Sequence, residues 1–241
     1  MPGTGARGVV VIEDDPDVRE LLITILEGSG YAVTATAYGR DGLEAVRRTE
    51  PDVITLDLAL PDLDGLELCR MIRDVSDAYV IILTARADEV DRLVGLETGA
   101  DNYMTKPFSP RELRARIAAM LRRPRTFGDQ PAAAGSLLQH GCLRVDVDRR
   151  TTTLGDQDVA LTRTEFDLLA TLARSPLRVW TRQELVESVW GSSWAGDDHL
   201  VDVHVNNMRR KLAAAWSEEL IATVRGVGFR LDGGVKSPSP S

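Results

Sequence analysis

The chain of 241 residues lacks most of the features that would mark a secreted, membrane-bound or metal-stapled protein. It has two cysteines, Cys69 and Cys142, far apart in sequence, and three histidines, His140, His199 and His204, that do not pair with them in a ligand spacing. That excludes a disulfide framework and a zinc site. No signal segment and no long apolar run is present, so a reducing cytoplasm is the expected compartment, with no membrane partner. An excess of positive charge is also missing: the formal net charge is −8. Residues 8–123 carry 14 Lys/Arg against 22 Asp/Glu, and residues 136–232 carry 12 against 14. Neither half is a basic nucleic-acid module by total charge, so any DNA binding must come from a local patch.

What is present is enough apolar residue, 43%, to build cores over a length that suits two domains. In the first half, short β-rich runs stand at 9–13, 32–36, 53–57, 79–84 and 102–105. Helical patterns separate or follow them at 16–28, 40–49, 65–74, 88–98 and 110–123. Five strand–helix units in series predict a doubly wound α/β domain with a five-stranded parallel sheet. Pro16 after Asp15 opens the first helix, and Ser109, Pro110 and Glu112 read as a capping box for the last. Residues 124–136 lose periodicity and read as a linker. Residues 137–161 alternate polar and apolar, with a turn at Gly155-Asp156, and predict a small antiparallel sheet. Capping boxes at Thr162/Glu165 and Thr181/Glu184 start two helices, and a third follows at about 198–213. Residues 221–231 read as a hairpin with Gly226 and Gly228 at its tip, and 233–241 as a disordered tail.

The stretch PDVITLDLALPDLDG, 51–65, ends an apolar strand on Asp57. In an open parallel sheet, ligands bind outside the carboxyl ends of the strands. The first strand ends in Glu13-Asp14-Asp15, the third in Asp57 and the fourth in Thr84, and the fifth leads into Lys106. All of these converge on one sheet edge. Clustered carboxylates repel unless a cation is near, and oxygen ligands with open positions suit Mg²⁺. A carboxylate can accept a phosphoryl group, which then needs a metal, a lysine and a hydroxyl around its oxygens. Singly, Asp57 reads as a turn residue and Lys106 as a solvated charge. Together, at strand ends in one register, they read as a phosphoryl site.

The motifs VVVIEDD, DLALPDLDG, ILTAR and GADNYMTKPFSPREL make residues 8–123 resemble the receiver domain of bacterial two-component response regulators, a flavodoxin-like fold. The resemblance implies Asp57 as phosphoacceptor and Glu13, Asp14, Asp57 and the Ala59 backbone carbonyl as Mg²⁺ ligands. It implies Thr84 and Lys106 at the phosphoryl oxygens, Tyr103 as an aromatic switch that turns inward when Thr84 moves, and Asp15 as a cap.

In the second half, Val201, Val205, Met208 and Leu212 form one apolar stripe on the helix DDHLVDVHVNNMRRKL, 197–212. The opposite face holds His199, Val203, Asn206, Asn207 and Arg210, flanked by Arg209 and Lys211. Asn bonds adenine bidentately, Val touches a thymine methyl and Arg holds phosphate or guanine. Arg225 and Arg230 flank the hairpin glycines, where an arginine suits a minor groove. With LTRTEFDLLATL, TRQELVESVW and TVRGVGFRL, this half resembles the winged helix-turn-helix domain of the OmpR/PhoB family. The resemblance makes 199–212 the recognition helix, with His204 among its DNA-contact residues, and 224–230 the wing. Thr181 and Arg182 become phosphate contacts, and Asp197 and Asp198 caps. Asn206 and Asn207 stand where some relatives have arginines.

The expected domains are thus a receiver at 1–123, a linker at 124–136, a winged helix at 137–232 and a tail at 233–241. A sensor histidine kinase would phosphorylate Asp57, and two chains would pair on double-stranded promoter DNA, with RNA polymerase as a further partner. By the family resemblance, the dimer surface holds Arg92, Glu97, Asp101, Glu112, Arg116 and Arg123, with Arg92 opposite Glu112 and Asp101 opposite Arg116. Two alternatives stand beside this reading. One is a regulator of the same fold that acts unphosphorylated. The other is a Mg²⁺-dependent phosphohydrolase, against which Ala59 fills the place where many such enzymes carry a second acid.

Overall fold

The structure is a computed structural model that describes residues 6–85, 98–121, 137–191 and 199–232, with His199 described only as part of its helix. The chain divides into two compact units, 1–121 and 122–241. In the first, strands β1 (Gly8–Ile12), β2 (Ala32–Thr36), β3 (Val53–Leu56), β4 (Tyr79–Thr84) and β5 (Asn102–Thr105) alternate with helices α1 (Pro16–Glu27), α2 (Gly39–Thr49), α3 (Gly65–Arg73) and α4 (Pro110–Leu121). The sheet order is β2-β1-β3-β4-β5, all parallel. β3 and β4 are buried along their whole length, as a sheet covered on both faces requires. The predicted strands hold to within one residue. That residue matters, because Glu13 and Asp57 fall just outside β1 and β3, where the pleat no longer dictates their direction.

Local chemistry sets the helix starts. Asp15 caps α1 through its side chain, accepting from the Asp17 and Val18 amides, and Asp64 caps α3 in the same way. α2 has Tyr38 at its N-cap with no side-chain bond. Instead Asp62, from the loop after β3, accepts from Gly39 N (2.8 Å) and Arg40 N (3.0 Å). Burial pushes that carboxyl up, but the two backbone donors outweigh it and its pKa lies below the ordinary value. Glu112, expected in a capping box, places Oε1 on Arg116 one turn later.

The end of α3 is pinned by a charge. Arg73 donates to the carbonyls of Gly99 (2.7 Å) and Ala78 and to Asp101 Oδ2 (2.5 Å), which also accepts from Val80 N (2.8 Å). Asp101 is fully buried. This corrects its expected place on a dimer surface: a buried guanidinium requires a carboxylate, and Asp101 supplies it within the fold.

In the second unit, β6 (Leu137–His140), β7 (Leu143–Asp146), β8 (Thr151–Leu154) and β9 (Gln157–Asp158) form an antiparallel sheet. Helices α5 (Arg163–Arg174), α6 (Arg182–Val189) and α7 (His199–Ala215) follow. Both predicted capping boxes are present, at Thr162/Glu165 and Thr181/Glu184. The hairpin is β11 (Ile221–Val224) and β12 (Gly228–Leu231), with a two-residue strand β10 (Trp180–Thr181) paired to β12 that the sequence did not mark. Gly226, at φ +72°, is the tip. Gly228 is not: it lies in β12, where a Cβ would collide with the Trp180 carbonyl oxygen. All but the last residue of the expected helix 88–98, the linker, the tail and the capping aspartates 197 and 198 lie outside the described residues, as do Arg92, Glu97 and Arg123. Among the described residues, no helix is long and apolar enough to cross a membrane.

Gly65 opens α3 directly behind the Asp57–Leu58 backbone. A Cβ there would run into the Leu58 Cα and lie 2.7 Å from the Asp57 carbonyl oxygen. Gly65→Ala is expected to destabilise the first unit by about 1–3 kcal/mol, because backbone cannot yield as a side chain does. Denaturant unfolding checks this. An unchanged midpoint would mean that the loop yields freely.

Candidate phosphoryl site and DNA-reading surface

Parallel pairing brings the carboxyl ends of β1, β3, β4 and β5 to one edge. The Asp57 amide donates to Ile12 O (2.9 Å), and the Lys106 amide to Thr84 O (2.9 Å). Glu13, Asp14 and Asp57 each present a carboxylate oxygen, all within 4.8 Å of one another. Glu13 is 0% exposed and Asp57 5%, whereas Asp14 is exposed. Arg19 reaches back from α1 to the Glu13 and Asp14 carbonyls (2.8 and 2.9 Å) and fixes the loop that carries the acidic pair. Asp57 Oδ1 accepts from the Ala59 amide (3.2 Å). The other oxygen, Oδ2, accepts from Lys106 Nζ (2.5 Å), which also donates to Glu13 Oε1 (2.6 Å).

Burial raises the Glu13 pKa to about 7; the Lys106 ammonium pulls it down, and Asp57 and Asp14 push it further up. Lys106 is shifted upward: burial disfavours its charge, but the Asp57 and Glu13 carboxylates outweigh that. One cation therefore serves two of the three acids, Glu13 and Asp57. Among the described residues, Glu13 Oε2 is buried without a hydrogen-bond partner. An orphaned anionic oxygen beside two further carboxylates is a donor set for a hard divalent cation, so the residues present fit Mg²⁺.

Thr84 is fully buried at the end of β4, opposite Thr105 in the register. Tyr103 is buried on β5, opposite Ile82. Of the residues expected at a dimer surface, Glu112 and Arg116 pair with each other within α4 (2.7 Å), and Arg116 also donates to Asn102 Oδ1 (2.7 Å). The expected Asp101–Arg116 pairing thus finds both groups with partners inside the fold.

The second unit revises the expected DNA surface. Asn206 and Arg210 are exposed on α7, and Arg225 is exposed beside the wing tip. Val203, His204 and Asn207 are not: they are 7%, 1% and 3% exposed. His204 lies three residues after Val201, on the flank of the apolar stripe, with its ring 5.9 Å from that of Trp190. Asn207 Oδ1 accepts from Arg210. Four other positions expected at DNA have internal partners. The Thr181 hydroxyl is in the α6 capping box. Arg182 forms a bidentate pair with Asp202. Arg209 donates to Ile221 O and Thr223 Oγ1. Arg230 pairs with Asp232. Periodicity gives the face a residue occupies; it says nothing of a carboxylate or carbonyl that another element brings there.

Known proteins carry the same two parts. Residues 9–118 match the family model described as response regulator receiver domain, and 156–231 the one described as transcriptional regulatory protein, C terminal. The chain is similar to the DNA-binding response regulator MtrA of Mycolicibacterium smegmatis, 41% identical over 228 residues, covering 94% of this chain and 97% of that one. It is also similar to the transcriptional regulatory protein CseB of Streptomyces coelicolor, 45% identical over 230 residues, covering 92% and 97%. Among solved structures, a RitR mutant aligns with a TM-score of 0.76 at 31% identity, over 95% of this chain and all of that one. With receiver and effector models both matched and relatives alike over nearly their whole length, the chain belongs to the OmpR/PhoB family of DNA-binding response regulators.

Proposed function

We propose that Asp57 takes a phosphoryl group from a sensor histidine kinase, and that the phosphorylated chain pairs with a second copy and binds promoter DNA sequence-specifically. The observation that carries this is Lys106 Nζ held between Glu13 Oε1 and Asp57 Oδ2, at 2.6 and 2.5 Å, on the carboxyl edge of the sheet. A carboxylate oxygen of Asp57 attacks phosphorus, the bond from phosphorus to the donor nitrogen breaks, and its electron pair leaves with that nitrogen. The ammonium of Lys106 is already beside the attacked position, so it meets the phosphoryl oxygens without reorganisation. The Thr84 hydroxyl at the next strand end would donate to the same oxygens. Glu13, Asp14 and Asp57, with the Ala59 carbonyl, would hold Mg²⁺, which neutralises charge on the transferring group. Ala59 offers no side-chain acid to hasten hydrolysis, which suits a persistent signal rather than turnover.

Tyr103 on β5 neighbours Thr84's strand and would carry a Thr84 shift toward the pairing surface. Glu112, half-exposed on α4, is the described residue of that surface best placed to meet a second chain; Arg92, Glu97 and Arg123 belong to the same expected surface. Pairing doubles the short DNA site that one winged helix reads. Asn206 and Arg210 would face base edges and Arg225 the backbone or minor groove. The cytoplasm is the compartment this function needs, with RNA polymerase as the partner at the promoter.

In Mg²⁺, acetyl phosphate is expected to label the wild-type chain and not Asp57→Asn, and EDTA is expected to abolish the wild-type label. Persistent label on the Asn variant would move the acceptor to another carboxylate.

The folded Glu13 pKa of about 7 lies above its ordinary 4.5. The folded chain therefore holds an extra proton between those values. The stability this group contributes is complete below pH 4.5 and is lost as pH rises toward 7. In EDTA, the melting temperature of the wild type is expected to fall from pH 5 to 8 relative to Glu13→Gln. Added Mg²⁺ is expected to stabilise the wild type more at pH 8 than at pH 6, since the ligand must be deprotonated. Parallel pH profiles for the two chains in EDTA would show that Glu13 is not the group that titrates in this range.

On DNA, Asn206→Ala is expected to cost about 1–3 kcal/mol on a preferred site and to relax preference at particular bases. Arg225→Ala is expected to weaken all sequences alike and to reduce the salt slope by about one. Competition binding across a range of salt concentrations separates the two. Unchanged base preferences in Asn206→Ala would move the reader off α7.

A further inference from the structure

Two arginines approach the same ring. The Arg182 guanidinium carbon lies 5.0 Å from the Phe229 ring centroid and that of Arg209 lies 5.6 Å from it. Phe229 is a β12 residue, 2% exposed, paired in register with Trp180 on one side and Thr223 on the other. Arg182 is the first residue of α6, and its Nε and Nη2 meet Asp202 Oδ2 and Oδ1 on α7 at 2.8 and 2.6 Å. Arg209, two turns further along α7, donates to Ile221 O on β11 at 2.9 and 2.6 Å and to Thr223 Oγ1 at 2.8 Å. Helix α7 is thus tied by its first turn to α6 and by its middle to the wing, with Phe229 between the ties.

We infer that the Arg182–Asp202 pair, seated with Arg209 on Phe229, is a brace that fixes the recognition helix against the wing, so that Arg182 sets base discrimination by positioning and not by touching phosphate. The geometry favours this over a phosphate contact. A planar guanidinium matched edge to edge with a carboxylate has its fork filled. Side chains only 29% and 28% exposed are screened less than surface pairs. The charge of Arg182 is already balanced by an acid on the helix that approaches DNA. A reader that samples two grooves also needs its helix and its wing at a fixed separation, and the pair that sets this separation affects bases it never meets.

The two accounts differ in the sign of one substitution. Asp202→Asn removes a negative charge from the DNA-facing domain without changing shape. If Arg182 serves phosphate, this frees it, and binding to every duplex tightens or stays the same. If the pair is a brace, discrimination falls. The experiment uses full-length chain treated with acetyl phosphate and Mg²⁺. The probes are one duplex selected by the wild type from a random-sequence pool and one unrelated duplex, over a range of salt. Asp202→Asn and Arg182→Ala are each expected to lower the selected-to-unrelated binding ratio roughly fivefold, with the double variant no worse than the poorer single one. The salt slope on the unrelated duplex should stay at the wild-type value in all three. Either of two results overturns the inference: an unchanged or higher ratio in Asp202→Asn, or a salt slope reduced by about one in Arg182→Ala. Should Arg182→Ala fail to fold by thermal unfolding, the isosteric Asp202→Asn decides alone.

Discussion

The first unit depends on keeping three carboxylates together at the edge of an apolar sheet. Glu13 is fully buried and Asp57 nearly so, and neither would be tolerated as an anion there without a counter-charge. Lys106 supplies that charge to both, and it reaches them because β5 pairs in parallel with β4 and delivers its end to the same edge. The balance is incomplete. Among the described residues Glu13 keeps one oxygen unpartnered, and its pKa is shifted upward, the state of a buried carboxylate whose charge is not fully balanced. The packing behind Asp57 serves the same end: Gly65 lets α3 start against the Asp57–Leu58 backbone, so Asp57 is backed by the helix while its oxygens accept from Ala59 N and Lys106.

Arginine does the corresponding work away from the site. Arg73 pins the end of α3 to the loop before β5 through Asp101, and Arg182 and Arg209 tie the recognition helix to α6 and the wing. Arg182 and Arg209 are cations that read as DNA-facing from sequence. The guanidinium has donors in a plane and binds carbonyls and carboxylates from several elements at once, so it works as a joint where lysine would not. Of the positions expected at DNA, the described side chains that are exposed are few: Asn206, Arg210 and Arg225. A thin patch agrees with the negative formal charge of the second half and places the weight of recognition on geometry.

The sequence by itself determined the strand–helix alternation, because period-2 and period-3.6 patterns are local, and it determined three of the helix caps, because a cap needs only a few adjacent residues. It also determined the acid, hydroxyl and lysine set at the strand ends, since parallel strands bring their carboxyl ends to one edge whatever their order. Tertiary structure decided what depends on residues far apart in the chain. Asp101 is a brace for Arg73 because α3 ends beside it, 28 positions earlier in sequence. Asp62 caps α2 from 23 positions away, where a search near Tyr38 finds no cap. Gly228 is glycine because Trp180 lies against it, and Arg182 is tied up because Asp202 arrives on another helix. Side-chain type and spacing fix which face a residue occupies; only packing decides which partner is waiting there.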